Sequence, residues 1–397
     1  DRLAVISVKR DAHGEIVAIP PGATFARGTT IVPASRVVID DFFPGAGGLV
    51  TADVDGGDSA ARFVRANGGP GRALPVPPQT TLRELAADPL TGGPIVIGIT
   101  GYRTPNRWLR YDTASGMLSS TGIEQRAPGD YSRVVVRRVL IPSADGTAQI
   151  PLEIVALPNA RRDGSAPTVL EAYGAYGTIT SPRFIGPWLA WLERGGVFAQ
   201  AMVRGGGEYG EAWHLAARLA TKTRSSDDLA ACARWLGANG YGDARHLGII
   251  GGSAGGYLMG LALTRDPARY RAVVSQVGFY DLLRTERTPN GAFNTPEFGT
   301  VRDPQQFAWM RRQSPYENVV PGRAYPAVLM TTGENDPRVA PWESRKMTAR
   351  LQTASSSGLP LLLWQKSGEG HGIGNSFDQR VAEQTQVLTF FDAELHS

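Results

Sequence analysis

Residues 246–260 read "HLGIIGGSAGGYLMG": an apolar run, six small residues, then helix formers. Gly tolerates positive φ and close backbone approach, which bulkier residues do not. A serine crowded by small residues suits a turn too tight for side chains, with Ser253 at its apex. Gly251, Ser253 and Gly255 fit G-x-S-x-G, and the strand before and helix after are the context a nucleophile elbow requires. Such a turn exposes the serine oxygen at the sheet's carboxyl edge. The helix start behind it offers free N–H groups and a positive dipole end, both favourable to a developing oxyanion. In a chain with 48 glycines the pattern alone would be weak; its flanks give it weight.

A serine hydroxyl is a poor nucleophile until a base takes its proton. The chain has five histidines, so elimination works. His13 lies in a β-rich part. His246 precedes the strand leading to Ser253, at the wrong end. His396 is next to last. His214 sits in "GEAWHLAA", at a helix start. His371, in "SGEGHGIGNS", follows the strand "LPLLLWQ" and falls at the carboxyl edge. The base needs an acceptor to fix its tautomer. Asp336, in "MTTGENDPRVAPWES", follows a strand ending near Thr332, with Glu334 as its nearest rival. The order Ser253, Asp336, His371 is that of α/β-hydrolases, with spacings of 83 and 35 residues.

The elements that must position these residues begin near residue 140. Apolar strands alternate there with helical patterns, which predicts a mostly parallel sheet with helices on both faces. In such folds ligands bind outside the carboxyl ends of the strands. "SSDDLAACARWLGANG" predicts a helix capped by Ser226 or Asp227. Residues 1 to about 130 instead show short alternating runs about ten residues apart, such as "RVVIDDFF", "GLVTADVDG" and "PIVIGITGY", which suits a sandwich or propeller blades. "RYDTASGML" has the form of a hairpin. "RGGGEYGEAWH", residues 204–214, lacks the ending of a phosphate-binding P-loop and reads only as a tight loop after a strand.

With 41 basic and 37 acidic residues, a net charge of +4 gives no basic stripe for nucleic acid. No apolar run approaches the ~20 residues of a membrane span. The single cysteine, Cys232, excludes a disulfide framework and a multi-cysteine metal site, and reads as a small buried residue. No metal or cofactor is expected. The N-terminus, "DRLAVISVKRDAHGEIVAI", has no initiator Met and no signal-peptide core, and reads as starting inside a domain. Whether the protein is cytoplasmic or periplasmic cannot be read from it.

"RGGGEYGEAWH", "GGSAGGYLMG", "SPYENV", "NDPRVAPWES" and "GEGHGIG" occur in order and together resemble the prolyl oligopeptidase (S9) family of serine peptidases. The resemblance implies an α/β-hydrolase peptidase domain over 131–397, preceded over 1–130 by the C-terminal blades of a β-propeller. It implies that the rest of that propeller is a missing N-terminal fragment, and that the substrates are short peptides. It implies that Tyr173, in "EAYGAYG", and the backbone N–H of Ala254 form the oxyanion hole. Arg338 matches the arginine that binds a substrate carbonyl. Phe293 and Tyr176 fall where proline-cleaving members place the aromatic wall of the P1 pocket.

Two departures bear on specificity. Ala254 stands where those members usually have Asn, and Phe293 replaces a Trp. The pocket stays aromatic, which favours cleavage after proline or a small apolar residue. The runner-up is cleavage after Arg or Lys. It would need Glu286 or Glu297 in the pocket, and arginines nearby, Arg284, Arg287 and Arg302, are expected to occupy both on the surface. An esterase on the same triad and a non-enzymatic remnant are the other readings.

Overall fold

The computed structural model describes residues 3–45, 47–65, 71–86 and 94–396. Two units separate within it. One comprises the residues up to Arg133 together with Ile179–Leu189 and Gly207–Trp213; the other comprises Val134–Thr178, Ala190–Gly206 and the chain from His214 onward.

Among the described residues, the first unit holds three antiparallel blades. Leu3–Ser7, Glu15–Ile19 and Thr29–Val32 form one. Val38–Gly45, Gly48–Asp55, Asp58–Arg65 and Arg72–Ala73 form the second. Thr80–Ala86, Ile95–Gly101, Thr104–Tyr111 and Leu118–Glu124 form the third, and its last two strands are the hairpin expected at "RYDTASGML". Alternating apolar residues hold the blades face to face. Ile16, Val32, Ile39 and Val64 join the first to the second, and Val50, Phe63, Ile95, Ile97 and Tyr111 join the second to the third. Each such side chain, once buried, contributes about 1.5–3 kcal/mol.

One buried group in this unit carries a pH signature. Glu208 is wholly enclosed, and its carboxylate accepts the Thr180 N–H at 2.8 Å. Burial pushes its carboxyl up to about 7, from an ordinary 4.5. The native state therefore keeps a proton that the unfolded chain releases, and stability falls as pH rises from about 4.5 to about 7, by up to about 1.4 kcal/mol per pH unit. Glu343, in the other unit, is raised to about 7 by burial as well and has the same sign. Denaturation midpoints of Glu208→Gln across pH 4–8 should show a shallower decline than the wild type; an unchanged slope would remove Glu208 from this account.

The second unit is an eight-stranded mixed sheet. Its strands are β1 (Val135–Pro142), β2 (Gln149–Ala156), β3 (Thr168–Ala172), β4 (Val197–Ala201), β5 (Leu247–Gly252), β6 (Ala272–Gln276), β7 (Ala327–Gly333) and β8 (Leu361–Lys366), in the order 1-2-4-3-5-6-7-8. From β3 to β8 the pairings are parallel, while β1–β2 and β2–β4 are antiparallel. The antiparallel β1–β2 hairpin straddles residue 140, where the mostly parallel sheet was expected to begin.

The helices that matter for the site are α1 (Arg224–Ala238), α2 (Ala254–Arg265), α3 (Gly291–Phe298), α4 (Trp342–Ala354) and α5 (Phe377–Leu395). They cover both faces, as side-chain parity on β5 shows. A Cβ on Gly248 would meet Phe391 and Leu395 of α5, whereas one on Gly251, of opposite parity, would meet the Gly255 backbone of α2. Helix α1 corrects the expected cap: it begins at Arg224 after Thr223, two residues before Ser226 and three before Asp227. The polar residues at its start are drawn into the core. Asp228 binds the Arg204 guanidinium at 2.7 and 2.8 Å, and Ser225 Oγ lies 2.7 Å from the Arg204 carbonyl. Cys232 packs fully buried in the same helix.

Candidate active site

Ser253 stands between β5 and α2 with φ +57° and ψ −118°. That is a sparsely populated conformation for a residue with a Cβ, and it persists only where the surroundings enforce it. The flanking glycines explain how. A Cβ on Gly251 would lie 2.6 Å from the Gly255 carbonyl oxygen and 2.9 Å from that of Ala172; one on Gly255 would lie 2.8 Å from the Ala172 oxygen, and one on Gly256 2.8 Å from the Gly278 Cα. The end of β3, the first turn of α2 and the segment just after β6 therefore approach the elbow more closely than any side chain permits. The Ser253 N–H donates to the Gln276 carbonyl at 2.8 Å, anchoring the turn to β6. Ala254 opens α2, so its N–H is among the first-turn amides that have no intrahelical acceptor.

Asp336 follows β7 and His371 follows β8, at the same sheet edge as Ser253. The two loops are sewn together. Glu334 N–H donates to Lys366 O at 3.0 Å, Asn335 N–H to Glu369 O at 2.9 Å, and Gly368 N–H to the Glu334 carboxylate at 3.1 Å. Asp336 Oδ2 lies 2.6 Å from His371 Nδ1, and its Oδ1 accepts the N–H groups of Arg338 and Val339, both at 2.9 Å. Burial raises this carboxyl, but the His371 bond and the two amides outweigh it and hold it below its usual range. An ionised carboxylate only accepts, so the Nδ1 it touches carries the proton and Nε2 is left as a lone-pair acceptor. Glu334, the rival acid, is exposed and serves the turn instead.

The other histidines have other partners. His13 pairs with Asp11, His246 with Asp243 ahead of β5, His396 with Asp392, and His214 with Glu297.

Tyr173 follows β3, next to β5. Its hydroxyl interacts with the Ser253 side chain and feels the Arg338 charge; burial, the dominant influence, raises its pKa and keeps it a neutral donor. Arg338 is exposed, and no carboxylate pairs with it among the described residues. Tyr176 stands 5.7 Å from Phe293 and edge-on to Phe298 at 6.0 Å, centroid to centroid. Its hydroxyl donates to Asn294 Oδ1 at 2.6 Å. Phe293 is 64% exposed, a ring open to solvent on one side.

Of the two acids of this region, Glu286 keeps one of the expected arginine partners and Glu297 departs from expectation. Glu297 is not at the surface, and among the described residues no arginine holds it. It is 2% exposed and bound by Lys222 Nζ at 2.6 Å and His214 Nε2 at 2.7 Å. Glu286 accepts from Thr300 Oγ and from the Val301 N–H at 2.9 Å; Arg302 is within 3.5 Å, but Arg284 turns to Asp281. Lys222 and Asn294 were not singled out from the sequence. Composition held one hint, since Lys222 is one of four lysines in a chain rich in arginine.

A strained serine elbow and an Asp–His pair on this sheet define an α/β-hydrolase. Comparison with known proteins narrows that class. Residues 184–397 match the prolyl oligopeptidase family, and the chain belongs to it. A prolyl endopeptidase of Elizabethkingia meningoseptica is 33% identical over 292 residues, 73% of this chain and 41% of that protein. Dipeptidyl aminopeptidase BI of Pseudoxanthomonas mexicana is 32% identical over 77% of this chain and 43% of its own length. A solved structure from a structural and mechanistic study of two prolyl endopeptidases superposes with a TM-score of 0.95 at 30% identity, covering all of this chain and 58% of that one. The chain thus spans about two fifths of the length of these curated relatives.

Proposed function

We propose that the chain is a serine peptidase that cleaves short peptides after proline or a small apolar residue through an acyl-enzyme. The observation that carries this reading is the 2.6 Å bond between His371 Nδ1 and Asp336, at the sheet edge where Ser253 is held at positive φ. His371 Nε2 takes the Ser253 proton as Oγ attacks the scissile carbonyl carbon. The C=O electron pair moves to oxygen, which accepts hydrogen bonds from the Tyr173 hydroxyl and the Ala254 N–H. Collapse breaks the C–N bond, and Nε2 returns the proton to the departing amine. Water, deprotonated by the same nitrogen, then releases the acid and frees Ser253. Arg338 holds a substrate backbone carbonyl.

The P1 preference rests on the aromatic pair Phe293 and Tyr176 and on the state of the acids. A basic P1 side chain needs an open carboxylate, because a buried unpaired charge costs several kcal/mol. Glu297 is already taken by Lys222 and His214, and Glu286 by Thr300 and Val301. The name of one relative, the prolyl endopeptidase, favours the same direction. Two measurements test the proposal. A fluorophosphonate probe should label Ser253, and matched peptides differing only at P1 should give a higher kcat/KM for Pro or Ala than for Arg or Lys. A tenfold advantage for Arg, removed by Glu286→Gln or Glu297→Gln, would establish the basic-specific reading instead; turnover of esters without peptides would make it an esterase. Phe293→Ala should raise KM for the Pro substrate by about two- to tenfold, the size of one aromatic contact. A small ester, which does not reach the ring, should be unaffected.

A further inference from the structure

The loop that follows β3 is held in a conformation side chains resist. Gly174, Tyr176 and Gly177 have φ of +63°, +59° and +63°. A tyrosine in this region persists only where its neighbours leave no alternative. Those neighbours are buried polar groups that the proposed reaction does not use. Lys222 Nζ donates to the Gly174 carbonyl at 2.8 Å and to Glu297 Oε1 at 2.6 Å. Glu297 Oε2 meets His214 Nε2 at 2.7 Å, and the His214 ring lies against Gly177, 3.5 Å from where its Cβ would be. Gly205 closes on the same carbonyl from behind: a Cβ there would lie 2.2 Å from Gly174 O. "RGGGEYGEAWH" thus supplies both the glycine that backs the loop and the histidine that braces it. Asn294, three residues before Glu297 on α3, fixes the Tyr176 hydroxyl.

The side chains of Lys222 and Glu297 are 1% and 2% exposed. A peptide therefore reaches neither. Burial lowers the Lys222 pKa against the pull of Glu297, and it opposes the ionisation of Glu297, which His214 and Lys222 nonetheless hold below its usual range. A buried ion pair is weak evidence for stability, since apolar side chains of similar size often serve as well. What an apolar residue at 222 could not do is donate to the Gly174 carbonyl.

We propose that Lys222, bridging the Gly174 carbonyl and the Glu297–His214 pair, is a positioning residue that sets the loop from which Tyr173 donates to the oxyanion. This rests on the reading of Tyr173 as an oxyanion donor. The same bridge ties Glu297, on α3, to the oxyanion loop.

A double-mutant cycle tests it, on a substrate for which acylation is rate-limiting. Tyr173→Phe should lower kcat by about 10–1000-fold. Lys222→Met should lower kcat by at least about tenfold with KM little changed, the pattern of an interaction made only in the transition state. In the Tyr173→Phe background most of the Lys222→Met effect should vanish, because its route is gone. An equal loss in both backgrounds would mean that Lys222 serves general packing, which overturns the inference. Wild-type kcat in Lys222→Met, with Tyr173→Phe impaired, overturns it while leaving the oxyanion reading intact. Wild-type kcat in Tyr173→Phe would instead overturn the oxyanion reading, and the inference with it. Should Lys222→Met not fold, Glu297→Gln, which removes the charge and keeps the shape, enters the same cycle and is judged by the same outcomes.

Discussion

Ser253→Ala should lower kcat by about a millionfold, the cost of removing the nucleophile of a serine triad, and should abolish fluorophosphonate labelling. The fold should survive. Alanine keeps the Cβ that already sits at φ +57°, so the substitution adds no backbone strain. The removed oxygen caps no helix N–H, as the Ser253 side chain makes no capping bond. Its N–H bond to Gln276 belongs to the backbone and remains. The melting temperature should therefore move by no more than a surface substitution would move it. Substrate binding should be nearly unchanged, because Arg338 and the Phe293–Tyr176 wall are untouched. Retention of a tenth of the activity would end the assignment of Ser253.

The elbow was legible in the sequence for a physical reason. Its geometry is enforced by contacts that only glycine allows, so the constraint appears as residue type at fixed spacing: Gly251, Gly255 and Gly256 each face backbone closer than 3 Å. Asp336 and His371 were legible because each must follow a strand closely, and strands show as apolar runs. The network behind Tyr173 left no such trace. Lys222, Glu297 and His214 come from three separate segments and meet only in the folded chain, and "ATKTR" has no spacing that demands a lysine. Glu297 looked like a surface acid because arginines neighbour it in sequence, whereas its spatial neighbours are a lysine and a histidine.

The same cause moved the start of α1. Sequence rules treat Ser226 and Asp227 as cap residues, yet Ser225 and Asp228 are claimed by Arg204 and the Gly174 carbonyl, and the helix begins at Arg224. Local propensity yields where a tertiary partner offers a buried polar group a better bond. The β1–β2 hairpin was hidden differently. "RVVVRRVLIP" mixes arginines into an apolar run with no clean alternation. Val135, Arg137 and Leu140 are exposed, Val136, Arg138 and Val139 are half-buried, and Ile141 is buried, so neither face of the strand reads as uniformly apolar.

Asp336→Asn should cost about 10,000-fold in kcat with KM nearly unchanged. The argument turns on which way the new amide must face. Asp336 Oδ1 accepts two backbone N–H groups, from Arg338 and Val339, each at 2.9 Å. An asparagine must leave its oxygen there, since its NH₂ would otherwise confront two donors. The NH₂ is then directed at His371 Nδ1, now 2.6 Å from the carboxylate. A donor facing Nδ1 selects the tautomer with the proton on Nε2, the nitrogen that has to accept from Ser253. The negative charge that would stabilise the imidazolium is lost as well. Glu334→Gln supplies the control: that side chain is exposed and, among the described residues, bonds only to the Gly368 N–H, so kcat should change by no more than about twofold. Steady-state kinetics on one peptide, with thermal melts to confirm folding, decide between the two acids. If Asp336→Asn stays within about tenfold of wild type while Glu334→Gln collapses, the acid of the triad is Glu334 and the tautomer argument fails with it.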